Sequence, residues 1–269
     1  MRATTGSKPA DQAKLVHDTR KAIKRMRALA RLLREEIGEQ EFRRVNSALR
    51  DTARRLASSR DSVVRLATLL RLIALHPKAL DLEGIERLRT QLETDLAQAN
   101  RPVCDPRVLD DVAEMRRELS QWNLLERDLD TLTPGLRRIY REGRRRFARA
   151  KRKDALPQDL HDWRKRVKAL YYVLDMLGGG SSKGARSVTK RAERLGEALG
   201  EEHDLWLLSI YVEEHPQALG QDEKSQAVLS KLIAQRRKRL RGRALVDGAR
   251  LYRDPPAKFT RHIAQALSR

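Results

Sequence analysis

The chain carries two copies of one segment, and that duplication restricts its possible folds more than any other feature. HDTRKAIKRMRALARLL, residues 17–33, aligns without gaps with HDWRKRVKALYYVLDML, residues 161–177, at an offset of 144. His, Asp, Arg, two Lys and a terminal Leu are identical, and most other matches keep apolar character, as Ile23 with Val167 and Met26 with Leu170. A second anchor lies downstream, where SSRDSVVRL around Asp61 matches EEHDLWLLSI around Asp204 at an offset of 143. Two anchors at nearly one offset predict homologous halves over 10–100 and 155–245. Between them, 101–154 reads as a linker and connecting helices, with RPVCDPR at 101–107 as the linker itself, and 246–269 as a tail with a short helix.

Both copies begin with a helix. Val16, Thr19, Ile23, Met26, Ala30 and Leu33 in the first, and Leu160, Trp163, Val167, Leu170, Leu174 and Leu177 in the second, alternate steps of three and four and so form one apolar stripe. Gly38 and the GGGSSKG loop at 178–184 mark the helix ends. Further amphipathic runs follow at 47–56, 63–75 and 82–96, then at 188–199, 205–212 and 228–240, giving about four helices per half. Short helices with a single apolar stripe are not stable alone in water. The predicted fold is therefore all-α, two duplicated four-helix bundles related by a pseudo-twofold axis, with a basic central pore or groove. Composition agrees: 40% hydrophobic residues suffice for a core, while 4% aromatics and few β-branched residues argue against a sandwich or barrel. Cys104 is the one cysteine, so neither a disulfide framework nor a cysteine metal site is expected, and a reducing cytoplasm fits. The amino-terminal residues lack an apolar signal core, and the densest apolar run, 67–75, is interrupted by Arg71, so no secretion signal and no membrane span are expected.

The charge balance sets the chemistry. Against 37 Asp and Glu stand 58 Lys and Arg, a formal charge of +21, which points to a polyanionic partner. On a helical wheel His17, Arg20, Lys21, Lys24, Arg27 and Arg31 gather into one stripe beside the apolar one, and His161, Arg164, Lys165 and Lys168 take the same phase in the second copy. Tyr171 and Tyr172 stand where the more distal charges would follow. The first stripe spans roughly 21 Å at ~1.5 Å rise per residue. Like charges at i,i+3 and i,i+4 destabilise a helix by a few tenths of a kcal/mol per pair. A face kept only for solubility intersperses carboxylates, and these stripes contain none. Two such rows turned toward each other would repel until an anion entered.

The HDxRKxxKxxR start, its HDxRKxxK copy, and the pairs Arg60–Asp61 and His203–Asp204 resemble the CHAD family, the conserved histidine α-helical domain, over about 17–245. The resemblance implies two four-helix bundles with pseudo-twofold symmetry around a basic pore that binds inorganic polyphosphate, and recruitment to polyphosphate granules. It implies binding roles for His17, Arg20, Lys21, Lys24, Arg27, Arg31, His161, Arg164, Lys165 and Lys168, with Arg60 and His203 at the basic position before the downstream Asp. Tyr171 and Tyr172 depart from the pattern, and no ExExK motif of the triphosphate tunnel domain often fused to this family occurs. Polyphosphate presents about one negative charge per phosphate and no bases, which suits Arg forks and Lys ammoniums at every turn. No catalytic group, cofactor or metal is expected, and the protein reads as a binder rather than an enzyme. Histidines beside phosphate favour their protonated forms, so affinity is expected to rise as pH falls. Asp18, Asp61, Asp162 and Asp204 are expected to orient the basic groups or to pair between helices rather than touch the anion.

Nucleic acid is the main rival ligand. REGRRRFARAKRK at 141–153 has eight basic residues against one acid, and KLIAQRRKRLRGR at 231–243 seven against none; either suits a phosphate backbone. Aromatics are too few for a base-stacking surface, and no zinc-finger or basic-zipper pattern is present. The His-Asp dipeptides invite an HD-type metal-dependent phosphohydrolase, but adjacent helical residues point ~100° apart and their neighbours on the face are cationic. A phosphotransfer histidine is a further alternative. GGGSSKG lacks the order of a P-loop and follows a helix instead of a strand. Trp122, Trp163 and Trp206 are expected in the core, and His76, His215 and His262 in structural or solvated positions.

Overall fold

The structure, a computed structural model, describes residues 9–56, 58–99, 106–122, 128–178 and 182–267, with side chains over 14–56, 61–98, 107–122, 128–178 and 182–267. The described residues contain no strand; their helices are α1 (Pro9–Leu32), α2 (Arg34–Arg55), α3 (Ser58–Leu75), α4 (Glu83–Ala99), α5 (Pro106–Ser120), α6 (Leu129–Ala150), α7 (Pro157–Met176), α8 (Lys183–Glu214), α9 (Glu223–Leu251) and α10 (Pro256–Leu267), with a 3-10 turn at Pro216–Leu219. The chain is all-α. Cys104 and most of the 101–107 linker lie outside the described residues, as do 179–181 of the glycine-rich loop.

The apolar stripes are the buried faces. Val16, Thr19, Ile23, Met26, Ala30 and Leu33 are all buried on α1, and Leu160, Trp163, Val167, Leu170 and Leu174 on α7, with Leu177 half-buried at its end. A positive-φ glycine marks the reversal after each stripe: Gly38, inside α2, has φ +80, and Gly178, just past α7, φ +82. An L side chain disfavours that region, so glycine sets the reversal there. Gly38 breaks α2, so that its first turn continues the line of α1 and the remainder packs back against α1. Helix α7 opens on Pro157, and its Asp159 carboxylate accepts the Leu156 N–H at 2.9 Å.

Two compact units result. The first contains residues 1–55, 104–197 and 245–269, and the second 56–103 and 198–244. The boundaries recur at offsets of 198 − 56 = 142 and 245 − 104 = 141, close to the sequence repeat. The compact units are therefore not the sequence halves; each draws corresponding segments from both. In the first unit α1 packs against α7, its own sequence counterpart, and α6 packs against α7, α10 and α1. In the second, Leu69, Leu72, Ile85, Leu88 and Leu92 of the first half share one apolar core with Leu205, Leu208, Leu229 and Ile233 of the second. Helix α8 runs through this division. The runs at 188–199 and 205–212, expected as separate helices, form one continuous helix of 32 residues, about 48 Å long at ~1.5 Å per residue. Its residues up to 197 belong to the first unit and those from 198 to the second.

The connecting region is part of the first unit. Helix α6 buries Leu132, Leu136, Ile139, Tyr140 and Phe147 and turns Arg137, Arg141, Arg144 and Arg145 outward. Tyr140 stacks on Phe259 of α10 at 3.8 Å between ring centres, and its hydroxyl donates to the carbonyls of Leu251 and Asp254, each at 3.0 Å. Trp163 is fully buried, as expected, whereas Trp122 and Trp206 are only half-buried. Trp122 sits just past the last turn of α5, and Trp206 lies beside His203 on a partly covered face of α8. His76 follows the last turn of α3, His215 stacks on Tyr211 at 4.4 Å, and His262 lies 3.7 Å from Asp254. Gly135 lets α6 approach α1 so closely that a Cβ there would lie 1.8 Å from the Leu32 carbonyl oxygen. Gly135→Ala should destabilise the protein by roughly 1–3 kcal/mol, because backbone rather than a side-chain tip must yield; a thermal melt unchanged from the parent would refute that tight contact.

Candidate anion-binding site

The basic row of α1 follows from its phase next to the buried stripe. His17, Lys21 and Lys24 are exposed, and Arg20, Arg27 and Arg31 are half-buried, which is the gradient expected across the edge of an amphipathic helix. Arg20 donates to the Ala53 carbonyl at 3.4 Å on the returning arm of α2. Deeper along the row, Arg27 Nε donates to Asn46 Oδ1 at 3.1 Å, and Arg31 donates to the same oxygen at 3.4 Å and to the Arg27 carbonyl at 3.0 Å. Neither arginine forms a salt bridge with a carboxylate among the described residues. Two half-buried guanidiniums thus share one neutral amide oxygen.

Other arginines crowd the same place. Burial lowers the Arg27 pKa, and the nearby Arg50 and Arg166 lower it further. Arg31 is brought down to about 9, first by burial and then by Arg27 and Arg166, with Glu142 opposing and Arg138 adding to the depression. Glu142 carries Arg166 at 3.0 Å and Arg138 at 3.8 Å, while Arg138 also reaches Glu35 at 2.6 Å and donates to the Arg31 carbonyl. Asn46, Arg50, Arg138, Glu142 and Arg166 were not among the sequence-predicted site residues. Arg166 follows Lys165 within the second copy of the motif, but its counterpart in the first copy is Ala22, so the repeat gives it no signal. The others lie on α2 and α6 and become neighbours only through helix packing.

The second row is not a replica of the first. On α7 His161, Arg164 and Lys168 are half-buried and Lys165 is exposed. Asp162 lies 3.4 Å from Lys165 on its own helix and 3.5 Å from Arg146 of α6. The Tyr171 hydroxyl donates to Glu193 at 3.0 Å; burial is the main force pushing its pKa up to about 12, and Glu193 adds to it. Asp175, the counterpart of Arg31 at the 144 offset, pairs with Arg25 of α1 at 2.7 Å. The far end of the α7 row is therefore acidic and tyrosyl where the α1 row is basic. Arg25 with Asp175, and Arg27 and Arg31 beside Arg166, place the contact of the two helices there, with His17 and His161 N-terminal to it on their own helices.

Ten predicted site residues, His17 to Arg31 on α1 and His161 to Lys168 on α7, belong to the first unit, whereas Arg60 and His203 belong to the second. The Arg60 side chain lies outside the described residues; His203 is half-buried with its ring 5.6 Å from that of Trp206. In the connector, Arg152 pairs with Asp154 at 2.9 Å. In the 231–243 run, Arg236 and Arg237 are held by Glu201 and Glu202 at 2.7 and 2.9 Å. A cavity of about 530 Å³ between α2 and α5 is no anion site, since its Arg44 and Arg55 already pair with Glu118 and Asp111. Among the described residues no group of three or more His, Cys, Asp or Glu gathers where it would hold a metal ion. None of the described helices is long and apolar enough to cross a membrane.

Comparison with known proteins gives one match: the model of the family described as CHAD domain covers residues 4–213. No curated protein and no solved structure matches the chain. The matched span takes in α1 through nearly all of α8, and hence both basic rows.

His161 generates a pH prediction. Burial, then Lys165 and Arg164, push its pKa down to about 4, against the opposing pull of Asp162. An unfolded histidine titrates near ~6.5. The unfolded chain thus takes up this proton first, and the stabilisation from neutral His161 is complete above pH ~6.5 and lost as the pH falls through about 4. Wild type should exceed His161→Gln in melting temperature by a margin that is constant above pH 7 and shrinks on acidification to pH 4; a margin equal at both ends would remove the depressed pKa. The acid-enhanced affinity expected from His161 accordingly moves from near neutrality toward that lower range.

Proposed function

The chain belongs to the CHAD family, and on that premise we propose that it binds inorganic polyphosphate along the basic faces of α1 and α7, the rows serving as walls of one anion channel. The observation that carries this reading is the α1 row itself. Six cationic or protonatable residues occupy one face without an interspersed carboxylate, and its two deepest arginines share only the neutral oxygen of Asn46. At Arg27 and Arg31 the face holds like-charge repulsion that a string of phosphates relieves, each guanidinium exchanging a neutral acceptor for a charged one. The reading requires no chemical step, so the protein acts as a binder, not an enzyme, in the cytoplasm, and recruitment to polyphosphate granules is the consequence that follows from its ligand.

Nucleic acid is the second reading, favoured by one observation. Arg137, Arg141, Arg144 and Arg145 form an exposed row on α6 with no salt bridge among the described residues. Rows of that kind grip a duplex backbone without reading its sequence.

Calorimetric titration with polyphosphates of graded length should give affinity that falls with salt at a log-log slope of about −0.7 per phosphate charge neutralised. Duplex DNA at equal phosphate concentration should not displace the long chains; if it does, the polyphosphate assignment is wrong and the α6 row becomes the better candidate. Reversing Arg20 and Arg164 to Glu should weaken binding at least tenfold more than reversing Arg152 and Lys153. Equal losses would mean diffuse attraction with no defined site.

A further inference from the structure

The arginines at the deep end of the α1 row differ from the rest of it. Lys21 and Lys24 are exposed and face solvent, as befits groups that follow a flexible chain. Arg27, Arg31, Arg138 and Arg166 instead converge from α1, α6 and α7, half-buried and close enough for mutual repulsion. The carboxylates that meet them are Glu142, bridging Arg138 and Arg166, and Glu35, on Arg138. Four guanidiniums against two carboxylates leave a local excess of two positive charges, concentrated on Arg27, Arg31 and the free edge of Arg166.

An excess of two charges held in planar forks selects among phosphate species. An internal phosphate of a polyphosphate carries one negative charge and has two non-bridging oxygens. A terminal phosphoryl group carries close to two charges near neutral pH and presents three oxygens, enough for two forks at once. Asn46 occupies the acceptor position that one of those oxygens would take, at 3.1 and 3.4 Å from Arg27 and Arg31. The second copy cannot build the same group, because Tyr171 and Asp175 stand where Arg27 and Arg31 do. Resting on the polyphosphate reading of the α1 row, we propose that Arg27, Arg31 and Arg166 form a subsite for a terminal, dianionic phosphoryl group, which anchors one end of a linear polyphosphate while the rest of the chain runs along the exposed lysines.

The test compares linear with cyclic phosphates, since rings have no ends. Full-length protein is titrated calorimetrically with linear tripolyphosphate, with cyclic tetrametaphosphate of similar total charge, with a simple phosphate monoester and with long-chain polyphosphate. Wild type should prefer the linear over the cyclic compound by about tenfold, and Arg31→Gln and Arg166→Gln should each weaken linear binding far more than cyclic binding and so abolish the preference; equal losses for both compounds, with the preference kept, overturn the subsite. Arg31→Lys, which keeps the charge but not the fork, should lose most of the preference as well. Circular dichroism melts of each variant separate misfolding from lost recognition, and the wild-type comparison needs no variant. Long-chain binding without any preference for linear over cyclic phosphate overturns the subsite and leaves the polyphosphate reading intact. Preference for tripolyphosphate and the monoester without long-chain binding overturns the polyphosphate reading and leaves the subsite.

Discussion

The structure depends on two stripes lying side by side on α1: one apolar and buried, the other cationic and denied carboxylates. Burying side chains such as Ile23, Met26 and Leu33 contributes roughly 1.5–3 kcal/mol each. The like-charge neighbours cost only a few tenths of a kcal/mol per pair where solvent screens them. Burial therefore wins, and the helix can hold a repulsive face that would not persist in an isolated peptide. Electrostatic tension grows where screening weakens, which is why burial and then Arg27 and Arg166 bring Arg31 down to about 9.

Helices α1 and α7 carry matching sequence segments but are unequal. At the deep end, the sequence counterparts of Arg27 and Arg31 are Tyr171 and Asp175, and both are committed elsewhere, to Glu193 and to Arg25. The Arg25–Asp175 pair joins the two helices with opposite charges at the point where a fully symmetric pair would have brought like charges together. One substitution in the second copy thus serves packing of α1 on α7 and at the same time leaves the dense arginine group on one side only. The two basic rows therefore differ in charge at their C-terminal ends, arginine on α1 against tyrosine and carboxylate on α7.

Helix α8 imposes the second architectural constraint. It runs unbroken from Lys183 to Glu214, while the later helices of each half find apolar partners in their counterparts. The first half reaches the same division with a break near residue 56, so continuity of the backbone is not what sets the division; the placement of apolar stripes is.

Much of this was legible in the residues alone. The all-α class, the helix phases, the glycines at 38 and 178 and the cationic stripe all follow from local rules, since period, capping and charge on one helix involve residues within a few turns of each other. What the sequence could not supply was which stripe meets which. Asn46, Arg138, Glu142 and Arg166 come from helices far apart in the chain, and no repeat or spacing connects them to Arg27 and Arg31. Nor did two merged runs announce themselves as one helix, because the polar residues between them are as compatible with a turn as with an exposed helical face. Sequence fixes the faces of helices through short-range geometry; their partners are chosen by burial and charge compensation summed over the whole core, and only tertiary structure performs that sum.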